Sequence, residues 1–294
     1  GADGRAEVFA AVKTEGFKLF TSDEIGDILR KLTGMEEKFD NKRQALIERI
    51  NAIYQRSKAI PPDLFRAFSE AKSKAYTVWV EAREKSDFKL FQPALEKIIQ
   101  FRRQFAELYG YEKNPYDGLL PDYEPGLTAE DLRKIVNHLR KELVPLVRLL
   151  IEQPNQPDET LLQGNFPEDL QRQLSLQILK VIGYDFNRGR LDTTPHPFTT
   201  QVGPDDVRVT THFVIDKLAP ALFATIHEGG HALYDQGKDS MLKWLYLDTG
   251  YSHGIHESQS RMWENVVGRS LPFWKFFYPK LPNSVACRHG ATSC

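Results

Sequence analysis

The sequence predicts a mainly α-helical protein, an elongated multi-helix fold with one small β element in its last third. Three observations carry this expectation. Apolar residues recur at helical spacing through residues 21–183, between capping residues and prolines that sit where helices begin. At Tyr184 the pattern changes, and a β-branched, alternating run follows at residues 206–214. Helical spacing then resumes, over residues 216–237 and 255–269, before a short aromatic segment at residues 273–278.

Taken in order, residues 1–20 are weakly patterned and read as a frayed start. Thr21-Ser22-Asp23-Glu24 is a capping-box signature, and the short helix it opens places Ile25, Ile28 and Leu29 on one side. Phe39, Leu46, Ile50 and Ile53 repeat at helical spacing within residues 32–57. Pro61-Pro62 opens a third helix, because the first turn needs no backbone donor. Ser86-Asp87 caps the next segment, Pro93 is expected to break it, and Gly110 supplies a stop after Tyr109. Residues 114–125 are rich in turn formers. Thr128 caps a helix to about Glu152 that Pro145 should bend, residues 154–164 are loop, and Pro167 opens a helix that ends at Gly183. All these amphipathic stripes are expected to pack into a core.

Lys and Arg (39) nearly balance Asp and Glu (40), for a net charge of −1. No basic stripe suggests nucleic acid, no apolar run is long enough to span a bilayer, and no signal-peptide pattern opens the chain. Both cysteines, Cys287 and Cys294, fall in the last few residues, so the body has no disulfide framework and no thiolate ligands. That usage fits a reducing compartment, and the expectation is cytoplasmic. The organisation read from these features is a weakly patterned segment 1–20, a helical scaffold 21–183, a region 184–282 holding the β element and two chemically unusual helices, and a tail 283–294.

The first of those helices contains His227-Glu228-Gly229-Gly230-His231. Residues four apart on an α-helix lie one turn above each other on one face, so the two imidazoles can reach a single metal ion. Glu228 lies at the edge of that face, beside the ion without needing to ligate it. This is the arrangement of a zinc hydrolase. Gly229 and Gly230 each cost about 1 kcal/mol relative to Ala in mid-helix. A plain surface helix has no reason to bear that, whereas close approach of another segment requires it. A third ligand must come from elsewhere. Glu257 and His256, in Gly254-Ile255-His256-Glu257-Ser258-Gln259, are the candidates. Glu257 opens a helix that can pack antiparallel to the first, and His256 offers another imidazole; an acid near a helix start is otherwise only a favourable charge. Two neutral imidazoles and a carboxylate leave a positive centre that activates water. Glu228 then accepts the water proton and passes it to the leaving amine, giving amide hydrolysis without a covalent enzyme intermediate.

Four motifs occur in order: His196-Pro197-Phe198, Asp206-x-Arg208-x-Thr210, His227-Glu228-x-x-His231 and His256-Glu257-Ser258-Gln259. Together they resemble the carboxypeptidase Taq family of metallocarboxypeptidases. The resemblance implies a helical gluzincin-like peptidase fold with a deep groove, and a divalent metal, zinc with cobalt as an alternative. It also implies removal of residues from a free peptide C-terminus, and a homodimer. It makes His227, His231 and Glu257 the ligands and Glu228 the catalytic acid–base, with His196, Asp206, Arg208, Thr210 and His256 along the groove. The resemblance covers about residues 5–282; the family's N-terminal helical segment and its Ile-Arg-x-x-Ala-Asp and Gly-x-x-Gln-Asp-x-His-Trp motifs are not found in this sequence, and the tail 283–294 is unlike the family, so the chain is expected to be truncated at both ends relative to the family.

Plainer readings stand beside these. Asp206 and Arg208 suit an ordinary ion pair, and His196 a turn. Arg208 and Arg261 are candidates for a carboxylate clamp, and Tyr234 and Tyr251 for oxyanion donors. Trp263, Trp274, Phe276 and Phe277 are expected to be exposed. The alternatives to a carboxypeptidase are a catalytically silent module that binds metal or peptide and a gluzincin endopeptidase.

Overall fold

The structure is a computed structural model that describes the chain apart from residues 1, 159, 243–246, 248–251 and 281–294. The tail expectation, both cysteines and Tyr251 therefore lie outside the described residues. The chain divides into two compact units, one within Gly1–His138 and one within Leu139–Trp244 and Asp248–Cys294. Among the described residues the architecture is mainly helical with one small sheet, as the sequence predicts.

In the first unit, α1 (Ala2–Phe20), α2 (Asp23–Thr33), α3 (Asn41–Lys58), α4 (Pro62–Glu84) and α5 (Phe88–Tyr109) follow one another with short joints. Helix α1 corrects the expectation of a frayed start. It packs on α4, with Phe17 stacked on Phe65 at 4.1 Å between ring centroids. Among its described side chains the buried ones are the small Ala10 and Thr14, while Val8, Phe9, Val12 and Leu19 are exposed, so its apolar periodicity does not mark the packed face. The cap of α2 is Ser22, which accepts from the Ile25 amide, while Thr21 Oγ1 donates back to the Phe17 carbonyl; no reciprocal box forms. Asp40 and Asp87 cap α3 and α5.

Pro93 does not break α5, contrary to expectation. It sits in the second turn, and the carbonyl that loses its donor belongs to exposed Lys89, where water can replace the lost bond. Helix α6 (Ala129–Ile151) starts at a reciprocal Thr128–Asp131 pair, the Asp131 amide donating to Thr128 Oγ1 and the Thr128 amide to Asp131 Oδ2. Its stripe was expected to be core, yet α6 buries no residue, and Ile135, Leu139, Leu143 and Leu150 are exposed.

The second unit, which starts at Leu139 within α6, continues with α7 (Glu168–Ile182), which ends at Gly183 in the left-handed conformation, φ 103°. Strands β1 (Leu191–Thr193), β2 (Thr199–Gly203) and β3 (Asp206–Thr211) form a sheet in the order β1-β3-β2, with β1 parallel and β2 antiparallel to β3. The predicted strand at residues 206–214 thus ends at Thr211, and His212 beyond it is exposed. Helix α8 (Ala219–Gln236) packs against α7 and β3. Helix α9 (His253–Arg261) is capped by Ser252 and runs directly into a π-helical segment, Met262–Val267, before α10 (Leu271–Phe277).

Leu174, Ile178, Val207, Leu222, Ile226 and Phe277 anchor the core between these elements. Phe277 is fully buried, and Trp263 and Trp274 pack partly against that core, so of the four aromatics expected at the surface only Phe276 is exposed. No described helix is long and apolar enough to cross a membrane.

Candidate metal centre

Helix α8 is buried on several sides at once. Thr225, Ile226, Glu228, Gly229, Gly230, Ala232 and Asp235 are all buried. Its two glycines explain how. A Cβ on Gly229 would lie 2.7 Å from Ile182 Cδ1 on α7, and one on Gly230 would lie 2.7 Å from Ser260 Cα on α9. The backbone of α9 can therefore lie directly against α8, which is the close approach that the glycine pair predicts.

That contact brings three side chains together. His227 Nε2 lies 3.5 Å and His231 Nε2 3.3 Å from Glu257 Oε2. Donor atoms of His227, His231 and Glu257 all lie within 4.8 Å of one another. A tetrahedral zinc with bonds of about 2.0–2.1 Å holds its donors roughly 3.3 Å apart, so the donor set fits the ion in kind, and the two imidazole–carboxylate separations fit it in spacing. His256, the other third-ligand candidate, stays outside this group: its Nδ1 lies 2.5 Å from His231 Nδ1 and its Nε2 3.0 Å from Asp235 Oδ1.

A second layer surrounds the three. His227 Nδ1 lies 2.9 Å from Glu264 Oε2, and Arg269 donates to Glu264 Oε1 at 3.0 Å. Arg261 Nε donates to Glu257 Oε1 at 2.8 Å, and Ser260 Oγ to Glu257 Oε2 at 3.1 Å. Burial works to raise the Glu257 carboxyl, but Arg261, His227 and Ser260 together hold it below the usual carboxylate range. Glu264 comes from the π-helical segment, a kind of turn that concentrates at functional sites. The motifs do not name Glu264, Asp235 or Thr199. Spacing offered a signal for one of them: Asp235 continues the His227, His231 series by four, which keeps it near their helix face.

Glu228 is 7% exposed, and burial pushes its carboxyl above the ordinary value. Thr199 Oγ1 on β2 lies 2.8 Å from both its Oε2 and its main-chain carbonyl, and this contact opposes the rise. Most of the remaining sequence candidates sit on the sheet and its loops. Arg208 makes a two-pronged ion pair with Asp206, Nε to Oδ1 at 2.9 Å and Nη2 to Oδ2 at 2.7 Å, as the plain reading expects. Thr210 is buried and pins the preceding turn, its Oγ1 accepting from the Phe198 amide at 2.8 Å. His196 is exposed in that turn, and its carbonyl accepts from Thr194. The Tyr234 ring meets His256 edge-on, 4.9 Å between centroids.

The family model for the carboxypeptidase Taq (M32) metallopeptidases matches residues 1–293. The chain belongs to the carboxypeptidase Taq family. Carboxypeptidase 1 of Bacillus subtilis is 39% identical over 281 residues, covering 96% of this chain and 56% of that protein. Thermostable carboxypeptidase 1 of Thermus thermophilus is 36% identical over 95% of this chain and 57% of its own length. The crystal structure titled BsuCP superposes with a TM-score of 0.95 at 38% identity, over 100% of this chain and 59% of that one. The chain thus spans a little over half the length of the carboxypeptidase Taq relatives it matches, and membership in this metallopeptidase family implies a divalent metal.

Burial, with the neighbouring His256 and His227 assisting, lowers the His231 pKa to about 4. An imidazole whose folded pKa lies below its unfolded value of about 6.5 contributes stability above that value and loses it as pH falls toward 4. In metal-free protein, the difference in unfolding free energy between wild type and His231→Gln should therefore shrink from pH 8 to pH 5. The loss is at most about 2 kcal/mol, less whatever screening its remaining solvent contact provides. Urea unfolding in chelator at the two pH values measures it.

Proposed function

We propose that this chain carries the catalytic centre of a metallocarboxypeptidase that hydrolyses the C-terminal peptide bond of peptides and proteins. The observation that supports this best is the convergence of His227, His231 and Glu257 donor atoms beside a buried Glu228. Zinc suits the two-imidazole, one-carboxylate donor set, with cobalt an alternative. The ion supplies Lewis acidity that acidifies water and polarises the scissile carbonyl. Glu228 takes the proton of the attacking water and returns it to the departing amine nitrogen. Thr199 fixes the carboxyl in place, and Arg261 and Ser260 hold Glu257 toward the imidazoles.

An endopeptidase reading draws support from the arginines. The guanidinium of Arg208 is engaged by Asp206, and that of Arg261 by Glu257 and Glu264, so neither clamp candidate is poised for a substrate carboxylate. One assay separates the readings. Zinc-loaded chain should remove residues stepwise from a free-ended peptide, read by mass spectrometry, and leave the C-terminally amidated peptide intact. Equal cleavage of both favours the endopeptidase, and bound zinc with no cleavage favours a silent binding module. A cytoplasmic location, supported by cysteine usage, and a homodimer, supported by the exposed apolar residues of α6, complete the proposal.

A further inference from the structure

We infer that His256 and Asp235 are positioning residues that fix the tautomer of His231, so that its Nε2 lone pair points at the metal position. The inference rests on the metal-centre reading and adds to it a role for the imidazole that does not join the ligand group.

The argument is one of donors and acceptors. Asp235 is buried, and an ionised carboxylate only accepts. Its Oδ1 already accepts from Lys238 Nζ at 2.6 Å, which favours the ionised form. His256 Nε2 lies 3.0 Å from the same oxygen and must carry the proton of that bond. In a neutral ring the other nitrogen is then a bare acceptor. That nitrogen, Nδ1, faces His231 Nδ1 at 2.5 Å, and two lone pairs cannot face each other at such a distance. His231 Nδ1 therefore carries a proton, and Nε2, 3.3 Å from Glu257 Oε2, is left with its lone pair toward the ligand group.

The opposite polarity needs either a bare His256 Nε2 against the carboxylate or a doubly protonated His256 that donates to both neighbours; either leaves the proton on His231 Nε2, where the ion would have to displace it. His227 reaches the same state directly, through Glu264 at 2.9 Å. The two imidazoles thus present the same nitrogen by different means, one through a carboxylate and one through a second imidazole backed by a carboxylate. The Tyr234 ring against His256, and the tilted packing of His256 on His231 at 4.6 Å between centroids, hold the ring planes that this alignment needs.

Long-range proton–nitrogen spectra of the imidazole rings, recorded on metal-free, histidine-labelled chain at pH 8, read the tautomers directly. We expect His231 protonated at Nδ1 and His256 at Nε2. Zinc affinity, by chelator competition, should fall on the order of 10- to 100-fold in His256→Ala. It should recover in His256→Asn, whose carbonyl can accept from His231 Nδ1. A wild-type His231 protonated at Nε2 overturns the inference, as does a His256→Ala chain with unchanged His231 tautomer and zinc affinity. The wild-type spectrum needs neither bound metal nor a folded variant. If zinc does not bind at all while the tautomers are as expected, the metal-centre reading fails and the tautomer relay stands.

Discussion

Glu228→Gln should keep its metal and lose turnover by about 10²- to 10⁴-fold, the usual worth of a positioned general base. Gln has the same shape and can still accept from Thr199 Oγ1, so the packing around this buried side chain is preserved. What it cannot do is take a proton. Glu228 lies outside the group of converging donor atoms, so the substitution leaves all three in place. Metal content by elemental analysis and kcat on a free-ended peptide together test this. Loss of metal would move Glu228 into the ligand set, and unchanged turnover would remove it from the chemistry.

Gly230→Ala should weaken zinc binding at least tenfold or so, the range seen when ligand support is disturbed. The added Cβ would lie 2.7 Å from Ser260 Cα and 2.9 Å from the Gln259 carbonyl oxygen. Both are backbone atoms, so relief requires α9 itself to move away from α8. Glu257 rides on α9, and a shift of about half an ångström is enough to spoil a ligand geometry. Gly229→Ala is the control. Its Cβ meets Ile182 Cδ1 and Leu179 Cδ2, the ends of flexible side chains on the opposite flank. That variant should lose stability, about 1–3 kcal/mol from overpacking less up to about 1 kcal/mol of helix propensity regained, while holding zinc as wild type does. Chelator competition and urea unfolding on both variants separate the two effects. Equal zinc affinity in Gly229→Ala and Gly230→Ala would contradict the view that Gly230 sets the α8–α9 spacing.

Much of this was legible because its signals are local. His-Glu-x-x-His fixes two imidazoles on one turn by helix geometry alone, and paired mid-helix glycines announce a close neighbour without naming it. Ser22, Asp87 and Gly110 mark helix ends through bonds and dihedrals that a few residues determine. The features that escaped depend on partners distant in sequence. Helix α1 buries small residues, so its place against α4 is invisible to apolar periodicity. Pro93 is tolerated because its helix begins one turn earlier, which the proline alone does not reveal. The parallel pairing of β1 with β3 needs a crossover that spacing does not specify. The π-helical register at Met262–Val267 brings Glu264 to His227, and the partnership of His256 with Asp235 appears only when α9 is laid on α8.

The central claim is that one divalent ion is held jointly by α8 and α9. Anomalous scattering at the zinc edge, from crystals of the zinc-loaded chain, tests it most directly. The expected result is one strong peak within about 2.3 Å of His227 Nε2, His231 Nε2 and a Glu257 carboxylate oxygen. A peak ligated by His256 in place of Glu257, or bound zinc found only away from these three side chains, would contradict it.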